Sequence, residues 1–217
     1  MGVGFVIVLH LFLLSVVGFI VGIVSSVVTY FAGKKERRRS KVVVAFMAPF
    51  AFLYTFYIGG LIGVSILADR KNVDIGIGDD WHVPLENNHI LSFLELDEPG
   101  AIVEKSGRSV VWDVVAIEEK GNQVVGKREN NQYFSYDTQT NEVHEFNTES
   151  ELKAASNDKE IKLMNVSKFY SEKKSGLIST WEYISIAVFS LLISVGAINM
   201  TKHIVFFTGE MFARKLK

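Results

Sequence analysis

The chain has 217 residues, 48% of them hydrophobic, with 23 Lys and Arg against 24 Asp and Glu, three prolines and no cysteine. Lacking cysteine, it has no disulfide framework, no thiolate metal site and no lipoprotein acylation site, and a net charge of −1 excludes a uniformly basic nucleic-acid binder. The balanced total hides a strong segregation of charge along the chain.

Residues 1–33 carry no charged side chain. They exceed the ~20 apolar residues that cross a ~30 Å hydrocarbon core. A cleaved signal peptide would place its cations before the apolar run; here they follow it, which predicts a retained span. Counting back from Thr29, Tyr30 and Phe31, an aromatic head-group anchor, puts His10 at the other boundary as an interfacial residue. Gly18, Gly22 and Ser26 recur at four-residue spacing, the pattern by which helix backbones approach closely in membranes.

Residues 33–41, GKKERRRSK, hold six cations: Lys34, Lys35, Arg37, Arg38, Arg39 and Lys41. A second uncharged run, residues 42–68, follows at once. A basic cluster between two spans reads as a tight cytoplasmic turn, with a minor attraction to anionic head groups. The second run contains Gly59 and Gly63, again four apart, and Pro49, tolerable in a span as a kink whose freed carbonyl neighbours satisfy.

Residues 69–174 contain 21 acidic and 13 basic side chains, a net of 13 − 21 = −8. Their texture is that of short strands between turn signals at Pro99-Gly100, Ser106-Gly107, Gly121-Asn122 and Asn130-Asn131. Strands are expected over residues 88–95, 100–104, 109–117, 121–126, 132–136, 142–146 and 161–169, as a meander, sandwich or small barrel. Asp137 to Asn141 reads as a side-chain-bonded hairpin turn, and Thr148-Glu-Ser-Glu151 as a capping box opening a helix to about Ala155. A charged linker, residues 171–175, leads to a third apolar run broken only by Glu182. The last residues carry Lys202, Arg214, Lys215 and Lys217 against Glu210, 4 − 1 = +3. Ile204, Phe207 and Met211 recur there at helical spacing, which fits either an amphipathic helix on the membrane surface or a continuation of the third helix.

The stretches DDWHVPLENNHILSFLE (79–95), VVAIEEKGNQVVGK (114–127) and QYFSYDTQTNEVHEFNTESEL (132–152) together resemble a pattern in small, uncharacterised exported bacterial β domains. The resemblance covers about a third of the chain and implies a bacterial exported β domain without implying an activity. It departs in one respect: such domains follow a signal peptide or lipid anchor, whereas this one lies between spans.

Candidate chemistry is sparse. His82, Glu86 and His89 would share a face only on a helix, which Pro84, Asn87 and Asn88 oppose; they are the weak metal candidates, with Asp79 and Asp80 nearby. Asp97-Glu98 and Glu118-Glu119 are adjacent, so on a strand they diverge and read as turn residues. There is no nucleophile elbow, P-loop or dinucleotide fingerprint, so no catalytic residue is assigned and no cofactor is expected. Trp81, Trp112, Tyr133, Phe134 and Tyr136 are expected mainly in the core, an exposed pair being a possible interface anchor. Asn165-Val-Ser167 is a formal glycosylation triplet. Few polar groups lie within the apolar runs, which leaves an oligomeric pore as a minor reading.

The expected fold class is three transmembrane α-helices plus an extracytoplasmic α+β, mainly antiparallel β domain. Its parts are span 1 (1–33), basic turn (34–41), span 2 (42–68), β-rich domain (69–175), span 3 (176–201) and cytoplasmic amphipathic tail (202–217). The expected location is the bacterial cytoplasmic membrane, N-terminus outside and C-terminus inside. The expected role is a non-enzymatic interaction or accessory subunit with a membrane-protein partner or a second copy, the bilayer and no nucleic acid as partners. The alternative is an extracytoplasmic ligand sensor or enzyme domain.

Overall fold

The computed structural model describes residues 2–33, 35–79, 81–95, 98–104, 106–156 and 160–215, with side chains to residue 208. Lys34, Asp80, Asp97 and Lys217 from the sequence reading lie outside the described residues. The chain divides into two compact units. One runs from Leu67 to Ser179 with the first residues of the chain; the other holds Gly4–Ile66 and the C-terminal helix.

The second unit is built from three long helices: α1 (Val3–Ala32), the greater part of α2 (Arg38–Lys71), and α5 (Thr180–Lys215). All three are long and apolar enough to cross a membrane. At 1.5 Å per residue the 30 residues of α1 reach roughly 45 Å, beyond the hydrocarbon core. Residues 202–215 continue α5 without a break, so of the two readings of this segment the helix continuation is the one observed.

Contacts between α1 and α2 descend in antiparallel register. The His10 ring bonds the Tyr57 hydroxyl at 3.0 Å, and Ser15, which donates to the Leu11 carbonyl, accepts from Tyr54 at 2.6 Å. Lower down, a Cβ on Gly18 would lie 3.0 Å from the Phe50 ring and one on Gly22 2.8 Å from the Phe46 carbonyl, while Ser26 donates to the Val42 carbonyl at 3.2 Å. Gly59 and Gly63 serve α5 in the same way, their Cβ positions falling 3.2 Å from Ser190 Oγ and 2.6 Å from Ile186 Cγ2. Both glycine faces are thus filled within the chain, so they supply no free face for a partner helix. Gly22→Val should lower the thermal unfolding temperature of the detergent-solubilised protein, because the obstructing atom is backbone. Gly4→Val, with nothing within 4 Å of its Cβ position, should leave it unchanged.

Ser190 and Ser194 join these positions although no expectation from the sequence named them. Both are fully buried on α5, their hydroxyls donating to the carbonyls four residues back at 2.8 Å. Their four-residue spacing is the same small-residue signal as the glycines.

The first unit is an antiparallel sheet with two short helices. Its strands are β1 (Trp81–Leu85), β2 (His89–Phe93), β3 (Gly100–Val103), β4 (Ser109–Lys120), β5 (Gln123–Arg128), β6 (Tyr133–Asp137), β7 (Glu142–Phe146) and β8 (Met164–Asn165). The first seven form a meander in sequence order, and β8 pairs with β4 beyond the point where β3 leaves it. The first six expected strands are present, as β2 to β7, with small boundary shifts. Strand β1 is not among the expected strands; it contains Pro84, which an edge strand tolerates, and β1 is an edge. Helix α3 (Glu149–Ala155) carries the complete Thr148–Glu151 capping box.

The expected strand over 161–169 and the linker after it require correction. Only Met164–Asn165 is extended; α4 (Val166–Leu177) follows, capped by the Asn165 side chain, which accepts from Ser167 N–H at 2.9 Å. The formal glycosylation triplet is therefore a helix N-cap.

The sheet curls. Strands β2 and β6 stand four positions apart, about 19 Å in a flat sheet, yet the Tyr136 hydroxyl reaches His89 Nε2 at 2.7 Å. Val83, Leu85, Leu91, Ile102, Val111, Val114, Ile117, Val124 and Phe134 are buried, and burial alternates along β1, β2, β3 and β6. Each such side chain contributes about 1.5–3 kcal/mol. Tyr170 of α4 meets Phe93 edge-on at 5.4 Å. Elsewhere Val125, Leu152 and Ile161 form a smaller cluster that seats α3.

Candidate functional site

Three places in the sheet unit gather chemistry. The first is a buried clasp where the chain enters and leaves the unit. Asp74 is 5% exposed. Its Oδ1 accepts from Lys174 Nζ at 2.7 Å and Gly76 N–H at 2.7 Å; its Oδ2 accepts from the Tyr170 hydroxyl at 2.7 Å and His82 N–H at 3.3 Å. Lys174 also lies 2.6 Å from Tyr170 Oη and within 5.8 Å of the Trp81 ring centre. Burial opposes ionisation of Asp74, but hydrogen bonds from Lys174 and Tyr170, the Lys174 charge and the Gly76 amide outweigh it and hold the carboxyl below its ordinary value. The acceptor capacity of Asp74 is spent on its own chain, which makes the cluster a structural clasp joining the end of α2 to α4.

The second place is the opposite rim, formed by the turns after β1, β4 and β6. His89 is 4% exposed, its Nδ1 3.2 Å from the Glu86 carbonyl and its Nε2 3.1 Å from Asn141 Oδ1; Tyr136, fully buried, donates to Asn141 Oδ1 at 2.8 Å. Burial, with the Glu104 charge near it, pushes the Tyr136 phenol up, so it stays a donor. Asn87 bonds Asn122 at 3.2 Å and Thr138 at 2.9 Å, tying three hairpin turns together. Asn87, Asn88 and Asn141 all have positive φ, a conformation asparagine tolerates. The Asp137 carboxylate accepts from Gln139 and Thr140 N–H, as the turn reading expected.

The weak metal candidates His82, Glu86 and His89 do not converge. His89 pairs with Leu85 and His82 with Ser92, so strand alternation sends the two rings to opposite faces, and His89 faces the backbone carbonyl of Glu86. Among the described residues no group of three metal-ligating side chains forms. Glu118 and Glu119 also differ from expectation. They lie in β4, not a turn, and diverge: Glu118 accepts from Lys162 N–H at 2.6 Å, whereas Glu119 accepts from Glu86 N–H at 2.9 Å and pairs with Lys173. Glu98 lines a polar pocket of about 150 Å³ with Glu129 and Asn165. That is below the ~300 Å³ at which small-molecule sites begin.

The third place is on β4. Val111 and Val114 are both buried although three apart, and the partner residues on β3, Ile102 and Gly100, are two apart. The extra residue is a bulge, with Asp113 at φ 59 and its carbonyl accepting from Glu129 N–H at 2.8 Å. Trp112, next to the inward Val111, faces outward and is 60% exposed, although the domain's aromatics were expected mainly in the core. Leu94, at the end of β2, is 69% exposed. Among the described residues of this unit these are the two large hydrophobic side chains left in solvent. Phe134 and Tyr136 are core as expected, and Trp81 is half-buried against Tyr170.

In the other unit, Arg38 lies 5.1 Å from the Tyr30 ring and Arg37 5.9 Å from that of Phe206. Lys35, Arg37 and Arg39 are exposed, and Lys41 is half-buried. No family model, curated protein or solved structure matches the chain.

Proposed function

We propose that this chain is a non-enzymatic accessory or interaction subunit of a bacterial cytoplasmic membrane, whose sheet domain is displayed outside and binds a protein or envelope component. The basic turn and the positive C-terminal segment lie inside, which fits retention of Lys and Arg on that side. The carrying observation is Trp112: a tryptophan 60% exposed on β4, beside a bulge at the left-handed Asp113. Exposed aromatics of this kind anchor protein interfaces. The polar clusters support a binding role over catalysis, since Asp74 and His89 are engaged by their own chain.

The test replaces Trp112 with a photo-crosslinking amino acid in cells of the native host. A discrete crosslinked species is expected at position 112 and not at Asn130, an exposed turn residue. Trp112→Ala should change stability by less than about 0.5 kcal/mol, as surface substitutions do, while abolishing the same complex. Equal crosslinking at both positions, or none at 112, would contradict the proposal and favour a stand-alone sensor or enzyme.

A further inference from the structure

The three-helix unit contains a groove of about 400 Å³ lined by Val17, Val21 and Ser25 of α1, by Ala45, Ala48, Pro49, Phe52 and Leu53 of α2, and by Ile198 of α5. Small residues make its floor on α2. Pro49 has no N–H to offer the Ala45 carbonyl, and both residues line the groove with the Ser25 hydroxyl, so a polar carbonyl and a hydroxyl sit at one end of an otherwise apolar trough.

That end is also the cationic one. Arg38, Lys41, Ala45, Ala48 and Phe52 recur along α2 at spacings of three, four, three and four, which places them on one stripe of the helix. Arg38 leaves its Nε buried and without a hydrogen-bond partner among the described residues, although its guanidinium packs over Tyr30. A buried donor of that kind calls for an acceptor. Cations, then a hydroxyl and a carbonyl, then apolar walls: the order matches the phosphate, ester region and acyl chain of a phospholipid.

We propose that this groove binds one anionic phospholipid from the leaflet that meets the basic turn, with an acyl chain along Ala45, Ala48 and Phe52 and its phosphate on Arg38 and Lys41. The inference rests on the three helices spanning a bilayer, not on what the sheet domain binds. A second copy is the competing occupant, but parallel packing through this face would bring two six-cation turns together, which like-charge repulsion opposes. Basic pockets between spans are known sites for anionic head groups.

The test is native mass spectrometry of the full-length protein in mild detergent, titrated with phosphatidylglycerol or phosphatidylcholine. One phosphatidylglycerol per chain should be retained, roughly tenfold more tightly than phosphatidylcholine. Ala48→Phe and, from the opposite wall, Ser25→Leu should each abolish retention while keeping the helical circular-dichroism signal. Arg38→Gln with Lys41→Gln should keep weak binding but lose the preference for the anionic lipid. Equal retention of both lipids by the wild type would overturn the proposal, as would retention by folded Ala48→Phe protein. So would a wild-type dimer that Ala48→Phe or Ser25→Leu converts to monomer.

Discussion

Lys174→Met is expected to destabilise the sheet domain by about 3 kcal/mol, the lower end of the cost of breaking a buried ion pair by removing one partner. The lower end applies because the Lys174 side chain keeps 17% of its exposure, whereas the Asp74 side chain keeps 3%. Hydrogen–deuterium exchange of the full-length protein would read this as faster exchange across β1 and α4. The same clasp sets a pH dependence. The folded pKa of Asp74 lies below its ordinary 3.8, so its contribution is fully present above that ordinary value and is lost as pH falls through the folded one. Asp74→Asn should lower stability at neutral pH and flatten this acid limb. If the acid limb of Asp74→Asn protein matches that of the wild type, the clasp is not its source.

Gly126→Val is expected to cost a similar amount by a different mechanism. A Cβ at this position of β5 would run into the Phe134 ring and lie 2.7 Å from the Ala116 carbonyl. The ring belongs to the residue directly opposite on β6, and the carbonyl is backbone of β4. One obstacle can rotate only by leaving a fully buried site, and the other cannot rotate at all. Overpacking of this kind costs about 1–3 kcal/mol, and the upper end applies here. Combining Gly126→Ala with Phe134→Leu should be less destabilising than the sum of the two, since the smaller side chain returns part of the space. Additive effects, measured by denaturant unfolding of the detergent-solubilised protein, would contradict this packing.

Much of the architecture was legible because it rests on long or periodic signals. Uncharged runs around six cations announce helices such as α1 and α2, and turn residues at Pro99-Gly100, Asn122 and Asn141 separate strands whose apolar residues alternate. The capping box at Thr148 was readable because both of its reciprocal bonds come from residues three apart. Harder to see were features that depend on what lies across the sheet. Pro84 argues against a strand until β1 is known to be an edge, and Asn165 reads as a modification triplet until the chain turns into α4 behind it. Trp112 is the clearest case. It stands outward on a strand whose alternation is broken at Asp113, with Val111 and Val114 both inward, and a bulge is a property of the pairing with β3, invisible in β4 alone.

The candidate site was less legible than the fold. His82, Glu86 and His89 cluster in sequence but are divided between faces by the hairpin joining β1 to β2. Conversely Asp74 and Lys174 are one hundred residues apart, and no local pattern links them. The glycines at 18, 22, 59 and 63 were recognisable as close-approach positions, but only the register of α1, α2 and α5 gives them Phe50, Phe46, Ser190 and Ile186 as neighbours.

The most direct measurement exploits the absence of native cysteine. Single-cysteine variants Trp112→Cys and Arg39→Cys, both at exposed positions, would be treated with a membrane-impermeant maleimide in intact cells and after permeabilisation. Display of the sheet domain outside, with the basic turn inside, predicts labelling of the Trp112→Cys protein in intact cells and of the Arg39→Cys protein only after permeabilisation. Labelling of both from the same side, or of the Trp112→Cys protein only after permeabilisation, would contradict it.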